Sequence, residues 1–193
     1  MTARVITTIL RPLKTIQTYI VVMTLAVIMW GERRIICMHR PFRFGVVVTH
    51  AQSHSAWITT ARRIEELGYA TLLMPDRPSI GGLAPLTALA VAAEATTALR
   101  VGSYVFCNEY RHPLLLAREA ATLDLLSEGR FELGLGAGVG AAEFQQMGLP
   151  FASAGTRVGH LKEALQLMKR LFREESVNFT GKFTCSLALV PWP

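Results

Sequence analysis

From Phe42 onward, short apolar runs alternate with stretches in which apolar residues recur every three or four positions. Phe42–Val48 is rich in β-branched residues and gives way to polar Thr49, His50 and Gln52, which predicts a first strand. Ser53 or Ser55 then offers an oxygen to the free N–H groups of a helix start. Trp57, Ile58, Ala61, Ile64 and Leu67 keep helical spacing up to Gly68, a C-terminal stop. Ala70–Met74 predicts a second strand, closed by Pro75-Asp76-Arg77-Pro78. Pro85 suits the first position of a helix with Leu86, Leu89, Ala90 and Ala93 facing inward. Arg100–Phe106 predicts a third strand. Pro113–Leu126 predicts a helix burying Leu116, Ala120, Leu123 and Leu126, and Phe131–Leu135 a fourth strand. Residues 157–173 predict an amphipathic helix carrying Leu161, Leu165, Met168 and Phe172.

The strands begin near 42, 70, 101 and 131, a repeat of about 30 residues, the length of one βαβ unit. Near-continuous apolar strands imply a parallel sheet covered on both faces. Such repeats build either a doubly wound sheet or a (β/α)8 barrel. A barrel takes about 250 residues. Phe42 to the C-terminus spans only about 150, with room for four βα units.

Residues 1–37 differ from the rest of the chain. They carry Arg4, Arg11, Lys14, Arg33 and Arg34 against the single acid Glu32, so most of the net charge of +6 lies there. Thr15 to Gly31 is uncharged, at the lower limit of a membrane span. Cations on both sides leave its orientation undefined, and the small residues of a signal-peptide cleavage site are missing. The preferred reading is upstream translated sequence before a true start at Met38; the alternatives are a membrane anchor and a signal peptide. The chain therefore divides into an apolar extension (1–37), a βα-repeat body (38–183) and a divergent tail (184–193).

Past residue 37 acids and bases are mixed, with no cluster of Lys and Arg between aromatics, so nucleic acid is not an expected partner. Cys37, Cys107 and Cys185 form no CxxC pair, which gives neither a recognisable zinc or redox motif nor a disulfide framework, and suits a reducing, cytoplasmic compartment. No metal site is expected.

The segment from Arg111 to Gly138 reads Arg-His-Pro, then a helix with Ala117-Arg118 and Thr122-Leu123-Asp124, then Ser127-Glu-Gly129-Arg130 and a glycine-rich strand end. Glu143, Met147-Gly148-Leu149-Pro150-Phe151, Arg157 and Glu163-Ala164 come after it in order. This pattern closely resembles the luciferase-like monooxygenases over roughly 140 residues. The stretch Asn108–Gly138 is most similar to the deazaflavin-linked branch of that family. The resemblance implies a (β/α)8 TIM-barrel fold, here about its first four βα units. It also implies two-electron chemistry, hydride or oxygen transfer, on reduced FMN or deazaflavin coenzyme F-420, with a small-molecule substrate. The alternative is a non-catalytic fragment or interaction module that pairs its open edge with a partner chain as a homo- or hetero-oligomer; membrane contact would require residues 15–31 to be an anchor.

Barrel enzymes place their sites at the carboxyl ends of the strands. Those ends are Thr49-His50, Pro75-Asp76, Phe106-Cys107-Asn108 and Gly136-Ala137-Gly138. The resemblance puts the cofactor ring over this mouth, which nominates Thr49, Asp76, Cys107, Asn108, Gly136, Ala137 and Gly138 as cofactor-binding. Asp76 has a polar group for the ring edge or substrate, but a turn Asp between prolines also bonds its own backbone. Asn108 can donate and accept at the ring edge. Gly134, Gly136, Gly138 and Gly140 would let a flat ring approach the backbone or simply allow tight strand–loop packing. The family often carries a non-proline cis peptide bond near the end of strand three, here Val105–Asn108.

The run Gly136 to Ala141 also fits the loose dinucleotide fingerprint, yet no second strand ending in an acid comes after it. His50 is a mouth candidate, whereas His112 and His160 read as a helix-start residue and a solvated helix residue. Glu143 and Arg157 read as structural. Val139 occupies the position that holds a proton donor in the sugar-phosphate dehydrogenase branch, which argues against that chemistry and leaves the catalytic residues unassigned.

Overall fold

A computed structural model of the chain describes residues 5–8, 19–24 and 42–189. Its strands are β1 (Val5–Thr8), β2 (Tyr19–Thr24), β3 (Arg43–Val47), β4 (Thr71–Met74), β5 (Arg100–Ser103), β6 (Phe106–Cys107), β7 (Phe131–Glu132), β8 (Leu135–Gly136), β9 (Val177–Thr180) and β10 (Cys185–Leu189). The helices are α1 (His54–Glu66), α2 (Pro85–Ala95), α3 (Pro113–Leu126), α4 (Ala141–Gln146) and α5 (Ala154–Leu171). The main sheet runs β1-β2-β3-β4-β5-β7. From β3 to β7 it is parallel, with each βα unit returning the chain one strand further along.

The helix boundaries obey local chemistry. Ser53 caps α1 by accepting from the Ala56 N–H, and Gly68 ends that turn at φ +77. Pro85 and Pro113 open α2 and α3, and the predicted bounds of α3 match its observed ones. On the helix-facing side of the sheet Val46, Val48, Leu72, Met74, Val101 and Phe131 pack against Trp57, Ile64, Leu89, Leu116 and Leu123.

The buried stripes depart from expectation at several positions. Leu126 is 69% exposed, and Ala117 takes the inward place instead. In α2 the inward residues are Pro85, Ala88, Leu89, Ala92 and Ala93, with Leu86 and Ala90 only partly covered. In α5 they are Ala164, Leu167 and Met168, while Leu165 and Phe172 lie at the surface. Leu67 is likewise exposed. These helices carry Leu and Ala on several faces, so periodicity alone cannot choose which face packs.

Strands three and four are each broken in two. Strand three becomes β5 and β6 around a cis Tyr104–Val105 peptide bond, at the leading residue of the expected segment. Strand four becomes β7 and β8, and β6 pairs with β8 as a separate parallel ladder. Ser103 stitches the break: its hydroxyl donates to the Gly134 carbonyl and accepts from the Gly134 N–H, both at 2.8 Å. α4 and the β9–β10 hairpin were not anticipated from the sequence.

Of the uncharged run 15–31, the described part is β2, a strand that pairs antiparallel with β3. Met38, Cys37 and the closing Pro191-Trp-Pro lie outside the described residues. Among the described residues no helix is long and apolar enough to cross a membrane.

Candidate cofactor site at the strand ends

The carboxyl ends of β3, β4, β6 and β8 gather the nominated residues along one rim. Thr49 lies just past β3, is buried, and its hydroxyl is 3.0 Å from His50 Nδ1. Its carbonyl oxygen accepts from the Leu83 N–H, which draws the 80–84 loop over the strand end. Gly82 sits at φ +107, and a Cβ there would run into that same carbonyl, so the close approach requires glycine. A cleft of about 360 Å³ opens here between Thr49, Pro75, Asp76, Ile80, Leu83 and Arg111.

Asp76 lies just beyond β4 and is nearly sealed from solvent, its side chain 4% exposed. Arg111 grips both of its oxygens, with Nη2 3.0 Å from Oδ1 and Nη1 on Oδ2. The Cys107 N–H donates to Oδ2 at 3.0 Å. Bidentate pairing and the backbone donor together compensate the loss of water around the charge. Burial opposes the charge on Arg111, but the Asp76 bonds outweigh it and raise its pKa. The same guanidinium stands 5.1 Å above the Phe106 ring. Asp76 thus ties the end of β4 to β6 and to the entry of α3, and its oxygens are already engaged.

Cys107 is buried, and burial pushes its thiol upward, with the Asp76 and Glu109 carboxylates adding to the effect. It pairs in register with Gly136 across the β6–β8 ladder. The glycine run packs tightly on this side. A Cβ on Gly136 would stand 2.9 Å from Val105 Cγ2, and one on Gly138 2.7 Å from Cys107 Sγ. Gly138 also has φ +77. Of the two readings offered for these glycines, close strand–loop packing accounts for the contacts on this side; Gly136, Ala137 and Gly138 remain only half-buried at the rim.

Asn108 opens a 3-10 turn over Asn108–Tyr110 and is buried. Its Nδ2 donates to Glu109 Oε1 at 3.3 Å. Among the described residues no group donates to its carbonyl oxygen.

Beneath the rim, Glu143 of α4 acts as a clamp. It accepts from Arg77 Nε at 2.8 Å and Nη2 at 2.7 Å, from the Ser79 hydroxyl, and from the Tyr110 hydroxyl at 3.4 Å. Burial works against its charge, yet the Ser79 and Arg77 bonds prevail and hold the carboxyl below its usual range. Tyr110 is pushed up to about 12 by burial, with the Cys107 and Glu143 charges behind it. The structural role read for Glu143 is therefore specific: it joins the loop after β4, the turn after β6 and the helix after β8. Arg157 bonds the Ala152 carbonyl and stacks 3.9 Å over Phe151. His112 caps α3, accepting from the Leu114 N–H at 3.3 Å. Val139 is exposed.

Sequence reasoning passed over the partners Arg77, Ser79, Tyr110 and Glu109, and saw Arg111 only as part of a motif. Each acts through a contact with a distant part of the chain, and spacing along one sequence carries no signal for such pairs.

The model of the luciferase-like monooxygenase family matches residues 37–193. Among curated relatives, an F-420-dependent glucose-6-phosphate dehydrogenase of Amycolatopsis mediterranei is 32% identical over 130 residues, 64% of this chain and 39% of that protein. Among solved structures, the oxygenating constituent of 3,6-diketocamphane monooxygenase from Pseudomonas putida, in complex with FMN, superposes with a TM-score of 0.63. It is 22% identical, covering 71% of this chain and 40% of its own. The coenzyme F-420-dependent tetrahydromethanopterin reductase of Methanopyrus kandleri gives a TM-score of 0.68 at 22% identity, covering 77% and 45%. The chain thus spans about two fifths of the length of these proteins, and its parallel βα units have the fold of their barrel. By its strand-end motif, its fold and the family match across 37–193, the chain belongs to the luciferase-like monooxygenase family.

Proposed function

We propose that the rim formed by Thr49, Asp76, Cys107, Asn108, Gly136, Ala137 and Gly138 holds the ring of FMN or of deazaflavin coenzyme F-420 in a two-electron oxidoreductase acting on a small molecule. The observation that carries this reading is the Asn108 carboxamide: placed at a strand end with its Nδ2 held by Glu109, and with an oxygen open to solvent rather than bonded to a described donor. That oxygen is free to accept from a ring N–H, a hydrogen bond worth about 0.5–1.5 kcal/mol. Thr49 adds a hydroxyl at the opposite side of the mouth, and Pro75, Ile80 and Leu83 give the cleft an apolar wall. Asp76 contributes by fixing the Cys107 backbone and Arg111.

When bound, the cofactor would supply the hydride or the activated oxygen. The chain's own residues would orient the ring and exclude water from it. The relatives bearing F-420 in their names and the neighbour solved with FMN support both cofactors as candidates.

Titration of the purified protein with F-420 and with FMN, followed by the shift of the ring absorbance, tests the reading. Saturable binding by one of them that weakens about tenfold in Asn108→Ala, the loss of roughly 1.4 kcal/mol, is the expected result; no binding by either rejects it.

A second reading, an interaction module without catalysis, draws on the sheet edge. The outer edge of β7 pairs with no described strand, and an open edge invites pairing with another chain. Light scattering on the same sample separates the two: a stable oligomer without cofactor affinity favours the module.

A further inference from the structure

The face of α5 turned toward the 3-10 turn Asn108–Tyr110 carries a histidine with a defined partner. His160 Nδ1 lies 3.1 and 3.0 Å from the two oxygens of Glu109. An ionised carboxylate only accepts, so Nδ1 carries the proton in this pair. Glu109 in turn accepts from Asn108 Nδ2. His160, Glu109 and Asn108 therefore form one hydrogen-bonded series running from α5 to the candidate site.

The surroundings hold this series in place. Phe183 meets the imidazole edge-on at 4.3 Å between ring centres. A Cβ on Gly159 would come within 2.9 Å of the Phe183 ring, so the small residue lets the ring close on His160. Charged groups around His160 include Arg157 and Glu163, one turn before and one turn after it on its own helix, and Lys182 beside Phe183; Arg157 is bonded to the Ala152 carbonyl. Glu163 is engaged elsewhere, accepting from the N–H groups of Lys182, Phe183 and Thr184. α3 also packs on α5, but among the described residues none of its charged side chains forms a hydrogen bond or ion pair with His160.

We propose that His160, acting through Glu109, is a positioning residue that orients the Asn108 carboxamide toward the cofactor ring, and that its protonation state sets the strength of that hold. The inference rests on the reading of Asn108 as a ring contact. A second proton on the imidazole adds a positive charge and strengthens its bond to Glu109. The carboxylate is drawn toward α5, and its bond to Asn108 Nδ2 weakens.

The test uses the full chain, labelled with nitrogen-15 and observed by NMR from about pH 5 to pH 8, the range in which histidine ordinarily changes charge. The side-chain amide signals of Asn108 are expected to move with the His160 ring signals at one shared midpoint. In His160→Gln they are expected to stay fixed. An Asn108 amide that ignores the His160 titration, or keeps moving in His160→Gln, overturns the proposal; the co-titration in the unaltered chain decides even if the variant does not fold. With cofactor present, affinity is expected to fall about threefold on acidification in the native protein, equivalent to roughly half a pKa unit of coupling, and not in His160→Gln. Affinity that ignores pH while the amide still responds overturns the positioning role. If neither cofactor binds at any pH while the amide response persists, the ring-binding reading fails and the His160–Glu109–Asn108 coupling stands.

Discussion

The helix-facing side of the sheet and its carboxyl-terminal rim lie within a few residues of each other and are held together in different ways. The first is a continuous apolar contact in which Leu72, Leu89, Val101 and Leu116 are fully buried. Its stability comes from area removed from water and is spread over many residues. The rim is held by a few directed bonds: Arg111 and the Cys107 N–H on Asp76, and Arg77, Ser79 and Tyr110 on Glu143. A spread contact fixes the architecture and tolerates local change. A directed network fixes the geometry of a few groups, so losing one partner leaves another unsatisfied.

That contrast orders what substitutions should do. Leu72→Ala should have the largest effect on stability, about 4 kcal/mol in urea unfolding, because it leaves a cavity where strand and helices meet. The amide signals of Asn108 should barely move in that variant. Asp76→Ala should cost less, about 3 kcal/mol, by leaving the Arg111 charge without its partner. Its diagnostic effect should be on the rim, with shifts at Cys107 and Asn108 that Leu72→Ala lacks.

Glu143→Gln should cost about 1–2 kcal/mol, since hydrogen bonds to a charged group are replaced by neutral ones. It should also change the acid limb of stability. The carboxyl of Glu143 lies below its ordinary value of 4.5 in the fold. Its contribution is therefore complete above that value and is lost as pH falls through the lowered folded value. Unfolding curves at a series of acidic pH values should show a shallower loss in Glu143→Gln than in the native chain. Smallest of all, Leu126→Lys should lie within about 0.5 kcal/mol of the native protein, because that leucine is a surface residue.

The same contrast explains what the sequence revealed. β3, β4 and α1 to α3 were legible because each rests on local signals: a β-branched run, a serine cap, a glycine stop, a proline at the first helical position. The inward faces of α2 and α5 were read less well, since Leu and Ala occur around much of each helix and the packed face is chosen by the sheet. The break at Gly134 was hidden inside what reads as continuous strand, whereas the family resemblance pointed to a cis bond at the end of strand three, found at Tyr104–Val105. At the rim, strand ends gave the places of Thr49, Asp76, Cys107 and Asn108, and the resemblance gave them a ring to hold. Their partners were out of reach. Glu143 and Arg77 are 66 residues apart, His160 and Glu109 are 51 apart, and nothing in either neighbourhood names the other. His160 in particular read as a solvated helix residue until the fold set Glu109 beside it.

The most direct test of the account is where a cofactor touches the chain. Backbone amide spectra recorded during titration with F-420 and with FMN should show shifts at Thr49, Cys107, Asn108 and Gly136 to Gly138. Ala90, Val91 and Leu126, on the outer helices, should stay still. Shifts confined to the outer helices, or none at the strand ends at saturating cofactor, would contradict the claim that this rim holds a redox ring.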